Sequence, residues 1–182
     1  LVAGYTPRNL ERASNYLYAK ETMSSYQIER ERPNKQRLAR FIELIKKSES
    51  IPVLTQEVLI ELQNNVVQSS ATNAAYRTTQ NYVGESHMYD YQTIHFIPPI
   101  PKDVPDLMEG LLQCLEKILA SNTSPVAAAG AIAFGFVFIH PFDDGNGRIG
   151  RAIIDWLLAK SENSVQRFYS MSTQIRTQRN TY

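Results

Sequence analysis

The stretch Val126 to Ile139, VAAAGAIAFGFVFI, runs without a polar side chain into His140-Pro141-Phe142-Asp143-Asp144-Gly145-Asn146-Gly147-Arg148-Ile149-Gly150-Arg151. Its first part is apolar on every side of a helical wheel, which predicts a helix buried at the centre of a bundle. Pro141 ends that helix, because the residue before a proline is pushed out of helical geometry, and this leaves the His140 imidazole at a helix C-terminus. Gly145 and Gly147 can take the positive φ values that let successive backbone N–H groups converge on an anion. The spacing of Ile153, Trp156 and Leu157 predicts a second helix, so the turn feeds a helix N-terminus. Arg148 and Arg151 lie three residues apart on one face of its first turns, where the helix dipole disfavours cations by a few tenths to ~1 kcal/mol each. A bound polyphosphate reverses that penalty.

Helical patterns also dominate upstream. Asn9 to Ser25 carries apolar positions at Leu10, Tyr16, Leu17 and Met23, and Leu38, Phe41, Ile42 and Ile45 repeat at three and four residues. Pro33-Asn34 and the stretch from Ser48 to Pro52 are breaks. Thr55 can cap a helix bearing Val58, Leu59, Leu62 and Val66, and Pro105 opens another through Leu107, Leu111, Leu115 and Ile118. Between Tyr76 and Pro101 the character changes. Tyr82, Val83, Tyr91, Ile94, Phe96 and Ile97 are strand formers closed by Pro98-Pro99-Ile100-Pro101, which predicts a β-hairpin. The fold class is therefore all-α, a helical bundle with one hairpin.

With 182 residues, 43% of them hydrophobic, the chain suffices for one domain with a full core. Its 19 basic and 18 acidic side chains leave a net charge of +1, too even for a nucleic-acid or anionic-membrane partner. The one cysteine, Cys114, excludes an internal disulfide and falls in an amphipathic pattern, so it reads as a buried apolar residue in a reducing, cytoplasmic compartment. The longest apolar run, 14 residues, is short of the ~20 that span a bilayer. The chain starts at Leu1 and stops in a polar tract at Tyr182, so it reads as a piece of a longer protein.

The twelve residues from His140 to Arg151 match without a gap the signature His-Pro-Phe-x-(Asp/Glu)-Gly-Asn-Gly-Arg-x-x-Arg, and the chain resembles the Fic (filamentation induced by cAMP) family. The resemblance implies a single Fic domain over residues 1–182, with N-terminal helices in 1–52 and the Fic core in 53–182. It also implies protein adenylyltransferase chemistry, the transfer of AMP from ATP to a Ser, Thr or Tyr hydroxyl. His140 would be the base that takes the hydroxyl proton. Asp144 would hold Mg²⁺, a helix N-cap being its plainer reading. Gly145, Asn146, Gly147 and Arg148 would meet the α- and β-phosphates, and Arg151 the γ-phosphate; the plainer partner of Arg151 is Asp155, in an exposed pair worth up to ~0.5 kcal/mol. Phe142 would anchor the loop, and Asp143 would be solvated.

The hairpin, about residues 76–101, resembles the Fic flap, whose edge strand holds a stretch of target protein; Tyr82, Val83, Gly84, Ile94, His95 and Phe96 would form that surface. A hairpin that merely covers the bundle is the plainer reading. Ser25-Tyr26-Gln27-Ile28-Glu29 is similar to the family's inhibitory motif (Ser/Thr)-x-x-x-Glu-(Gly/Asn), which places Ser25 and Glu29 against Arg151 in a self-inhibited class. Arg30 departs from that motif at the sixth position, where Gly or Asn would cap the helix. On composition alone, Glu21, Glu29 and Glu31 are a solvated face. The tract Phe168 to Tyr182 is similar to the loop and closing helix that follow the core, with the chain ending inside that helix. The partners implied are ATP and a protein substrate, this chain itself included, with no nucleic acid; a homo-oligomer is compatible with the sequence. Removal of AMP, transfer of another nucleotide or phosphocholine, and an inactive peptide-binding module are the alternatives.

Overall fold

The computed structural model describes residues 6–48, 50–67, 72–86, 92–160 and 169–178. Among the described residues seven α-helices and one hairpin follow in the order α1 (Pro7–Ile28), α2 (Lys35–Ser48), α3 (Gln56–Val66), β1 (Val83–Ser86), β2 (Gln92–Phe96), α4 (Val104–Leu119), α5 (Pro125–Ile139), α6 (Asn146–Lys160) and α7 (Met171–Thr177). The boundaries have local causes. Thr6 and Thr55 accept the N–H groups of Asn9 and Val58 as N-caps, Asn34 accepts that of Arg37, and prolines occupy the first turns of α1, α4 and α5. Phe41, Leu59, Met108, Leu115, Phe136, Ile149 and Trp156 form one buried core between α2, α3, α4, α5 and α6. No helix among the described residues is long and apolar enough to cross a membrane.

Three expectations fail. α5 is not buried on all sides: Ala129, Ile132, Ala133, Phe136 and Ile139 are buried, whereas Val126 is 71% and Phe134 69% exposed. Uniform hydropathy carries no phase, so it cannot say how many neighbours a helix has. Here α4 and α6 cover one side, and Phe96 of the flap lies 5.3 Å from Phe138 on the other. Cys114 is exposed, because α4 buries Met108 and Leu115 and turns the cysteine outward. The closing helix α7 ends at Thr177, before the end of the chain; Phe168 and residues 179–182 lie outside the described residues.

The face that α1 buries is also unlike the predicted one. Tyr16 and Met23 are exposed, while Glu21, Thr22, Ser24, Ser25 and Tyr26 are buried. Glu21 accepts from Ser170 Oγ (2.8 Å) and from the backbone N–H and hydroxyl of Ser172, and Ser24 meets Thr173. A helix docked through hydroxyls and carboxylates leaves no apolar stripe for periodicity to detect.

In the hairpin, Val83 pairs with Phe96, Gly84 with Ile94, Glu85 with Thr93 and Ser86 with Gln92, with an irregularity between Val83 and Gly84. A Cβ on Gly84 would overlap the Thr93 carbonyl. Tyr91, expected among the strand formers, lies outside the described residues.

Candidate active site

His140 caps α5 in the left-handed region, φ 53° and ψ 59°, a conformation costing a non-glycine residue about 1 kcal/mol or more. That turn aims the chain into the loop. Phe142 is fully buried, 5.7 Å from Tyr76 and 6.3 Å from Phe136, and anchors it. The Asn146 amide accepts from the Phe142 N–H (3.0 Å) and donates to the Phe142 carbonyl (2.7 Å), closing the loop on itself. The side chain of Asn146 is thus engaged within the loop. What α6 presents beyond it is its first backbone N–H groups, which have no carbonyl of their own helix to bond.

Of the two glycines expected at positive φ, only Gly145 takes it, at 90°. Gly147 is helical, and its lack of a side chain serves a close approach: a Cβ there would overlap the Glu29 carboxylate and crowd Arg151. A carboxylate from α1 therefore sits over the N-terminus of α6, where an anion is favoured.

The His140 Nδ1 lies 3.2 Å from the Val137 carbonyl. A carbonyl only accepts, so Nδ1 carries the proton and Nε2 keeps the lone pair of a base. Desolvation lowers the imidazole pKa most and Arg77 lowers it further, against the Val137 hydrogen bond, Glu29 and Asp144, which raise it; the net shift is downward from 6.5. The ring is neutral at pH 7, as a general base must be.

Asp144 is about half exposed. It accepts from the Gly145 N–H (2.6 Å) and from Arg148 Nη2 (2.9 Å). Among the described residues no cluster of three or more His, Cys, Asp or Glu could hold a metal ion. A single carboxylate completed by phosphate oxygens is the mode Mg²⁺ favours, so this donor set fits that ion. Arg148 is 1% exposed. Its guanidinium donates to Glu31 (2.9 Å), Asp144 and the Val66 carbonyl (3.1 Å), 5.3 Å from the Tyr26 ring.

Arg151 donates to Ser25 Oγ (2.9 Å), the Ser25 carbonyl (3.0 Å) and Glu29 (2.8 Å). The expected plainer partner, Asp155, is buried and is no exposed pair. Burial and the Glu21 charge push its pKa well above the usual range, with Arg151 pulling weakly against them. Nor are Glu21 and Glu31 a solvated face: Glu21 holds α7, and Glu31 pairs with Arg37 (2.8 Å) and Arg148. Arg30, the departure, does end the helix. At φ 58° it donates to the Gln27 carbonyl while Glu31 donates to that of Tyr26, the paired bonds of a Schellman cap, and its side chain reaches Glu85 of β1 at 3.0 Å.

On the flap, Tyr82, Val83, Ile94 and His95 are exposed, and Tyr82 donates to Gln92 (2.6 Å). Phe96 is half-buried against α5. A cleft of about 570 Å³ opens beside Gly147 and Arg151 and is lined by Ile28, Phe134, Val137 and Ile154, a size suited to a small-molecule ligand. Missing from the sequence reading are Arg77, which bonds the His140 carbonyl (2.8 Å), and Gln63, which bonds that of Asp144 (3.3 Å). Arg77 had a signal, an arginine in a strand-forming segment with no acid nearby in sequence; Gln63 had none.

A helical bundle with an open helix start, a histidine at the preceding helix end and a hairpin alongside defines the class of domain. A family model described as Fic/DOC matches residues 53–158, more than half of the chain, and the chain belongs to that family. It is 30% identical over 120 residues to a protein adenylyltransferase Fic of Nematostella vectensis, covering 65% of this chain and 25% of that one. It is 32% identical over 110 residues to the protein of the same name of Drosophila melanogaster, covering 59% and 20%. The chain thus spans a quarter or less of the length of these relatives. A Fic family protein of Desulfovibrio desulfuricans superposes with a TM-score of 0.73 at 22% identity, over all of this chain and 59% of that one. A Fic domain containing signaling protein of Bacteroides thetaiotaomicron gives 0.74 at 15%, over 98% and 74%. These two likenesses show the fold.

Proposed function

We propose that this chain is a protein adenylyltransferase held in check by its own α1. The observation that carries the reading is His140, its Nδ1 on the Val137 carbonyl and its Nε2 without a hydrogen bond among the described residues, at the head of a loop that ends on the N-terminus of α6. In the proposed reaction His140 takes the proton of a target hydroxyl as that oxygen bonds to the α-phosphorus of ATP. The bond from that phosphorus to the bridging oxygen breaks, and pyrophosphate leaves. The amides of Asn146, Gly147 and Arg148 meet phosphate oxygens, while the Asn146 side chain keeps the loop shut. Arg148, buried between Glu31 and Asp144, holds the acidic residue in place and offsets part of the negative charge of the two carboxylates. Asp144 would hold Mg²⁺, which when bound offsets charge on the triphosphate. The base and ribose fit the apolar part of the cleft, and the flap offers its edge to the target.

The position of Glu29 supports self-inhibition: its carboxylate sits over the N-terminus of α6 and pairs with Arg151, which in this reading would meet the γ-phosphate. Glu29 also lies near enough to His140 to raise the imidazole pKa, which favours hydrolytic removal of AMP as the second reading. The test is incubation with ATP labelled at the α- or the γ-phosphate. Transfer predicts protein-bound α-label only, lost in His140→Ala, in line with the 10²–10⁴-fold typical of a general base. Gamma-label on protein, or α-label undiminished in His140→Ala, refutes it. Release of AMP from a modified protein, without incorporation, selects the second reading.

A further inference from the structure

Arg77 is 2% exposed and forms no ion pair among the described residues. Every hydrogen bond its guanidinium makes there goes to a backbone carbonyl: Nε to His140 (2.8 Å), Nη1 to Thr79 (3.0 Å), and Nη2 to Pro99 (2.5 Å) and Ile139 (3.5 Å). Its own N–H donates to the Pro141 carbonyl at 2.8 Å. A buried charge that hydrogen-bonds no carboxylate, with Asp143 acting on it only from a distance, is costly to keep and calls for a use. The carbonyls it collects are not random. Ile139 and His140 are the free end of α5, whose negative dipole end attracts a cation. Thr79 and Pro99 lie on the ascending and descending legs of the hairpin. Asn81 reinforces the same junction through the Phe142 carbonyl (3.0 Å), and Gln80 ties one leg to the other through that of Pro98 (3.1 Å).

We propose that Arg77 is the positioning residue of His140, its planar fork fixing the histidine in the left-handed turn and registering both legs of the flap against it. This rests on the reading of His140 as the base. A lysine offers the charge without the fork, and a glutamine neither the charge nor the full set of donors. Facing the imidazole are the positive Arg77, the negative Glu29 of α1 and Asp144 of the loop, with the Val137 carbonyl on Nδ1. Loss of the Arg77 charge therefore raises the His140 midpoint, and loss of the fork misplaces the ring.

The experiment uses Arg77→Lys and Arg77→Gln with two readouts. The first is the NMR titration of the His140 imidazole, which needs no activity. The second is α-labelled ATP incorporation in a Glu29→Gly background, resolved into kcat and KM. The expected result is a His140 midpoint raised in Arg77→Gln and close to the parent in Arg77→Lys. Both variants should lose tenfold or more in kcat with little change in KM for ATP. A purely structural arginine would alter melting and leave kcat of the folded Arg77→Lys variant where it was. A His140 midpoint unmoved in folded Arg77→Gln overturns the proposal; should that variant not fold, unchanged kcat in Arg77→Lys overturns it. If the Glu29→Gly parent incorporates no α-label, the transferase reading fails and the titration alone decides on Arg77.

Discussion

Replacing Glu29 by glycine is the sharpest perturbation of the proposed brake. Arg151 is 11% exposed at its side chain and Glu29 35%, with 2.8 Å between them. A hydrogen bond between charged groups is worth about 1.5–3 kcal/mol, and a carboxylate one-third open to water belongs near the lower bound. An incoming γ-phosphate must displace that contact, so removing it returns about 1.5 kcal/mol to productive ATP binding, roughly tenfold. Ser25 still holds Arg151 from two sides, so the guanidinium keeps its place after the substitution. The assay is α-labelled ATP incorporation at equal protein concentration, with Glu11→Gln as the exposed control. Arg151→Ala on top of Glu29→Gly should suppress the gain. Glu29→Gly no more active than Glu11→Gln refutes the reasoning, because the pair would then not compete with phosphate. Glu21 and Glu31 are unfit as controls, since each holds a buried partner that its loss would strand.

Arg30→Gly relieves about 1 kcal/mol of left-handed backbone strain and loses an exposed ion pair to Glu85 worth a few tenths, so melting should rise by roughly 1–3 °C; a fall would show that the Glu85 contact dominates. Asp155, raised well above its ordinary 3.8, contributes stability that is full below that value and is lost as pH climbs through the folded pKa, so Asp155→Asn should flatten the decline in melting temperature as pH rises from 3.8; parallel curves would contradict the shift. Phe136→Ala should cost about 3–5 kcal/mol in denaturant unfolding and Phe134→Ala within about 0.5, the reverse order being incompatible with the half-buried α5.

The helices were legible where one face is apolar, as in α2 and α3, and where a cap or proline marks an end, as at Thr55 and Pro105. The hairpin was legible from its strand formers and closing prolines. The site loop was legible as a string, because twelve contiguous residues carry it. What escaped depends on partners distant in sequence. The buried side of α5 is decided by α4 and α6, and the buried side of α1 by Ser170, Ser172 and Thr173. Arg148 reads as a free phosphate ligand until Glu31 and the Val66 carbonyl are seen on it. Gly147 reads as a turn residue, yet it is needed for the room that Glu29 takes. Arg30 looked like a missing cap, but the backbone bonds of the cap form with arginine in place.

The seam between α1 and α7 has a consequence for how the brake could come off. In the buried stretch of α1, Glu21, Ser24 and Ser25 meet their neighbours through hydroxyl and carboxylate oxygens that water can satisfy equally well, while the Thr22 hydroxyl has no partner among the described residues. Lifting that stretch away bares little oily surface, so the opened form has small cause to aggregate and can re-dock unaided. Such an opening would respond weakly to urea, whose effect scales with newly exposed area, and more strongly to salt, which weakens the Arg151 contact. In hydrogen exchange α1 should then lose protection at a lower free energy than α5 or α6, as a unit that opens before the rest of the molecule unfolds.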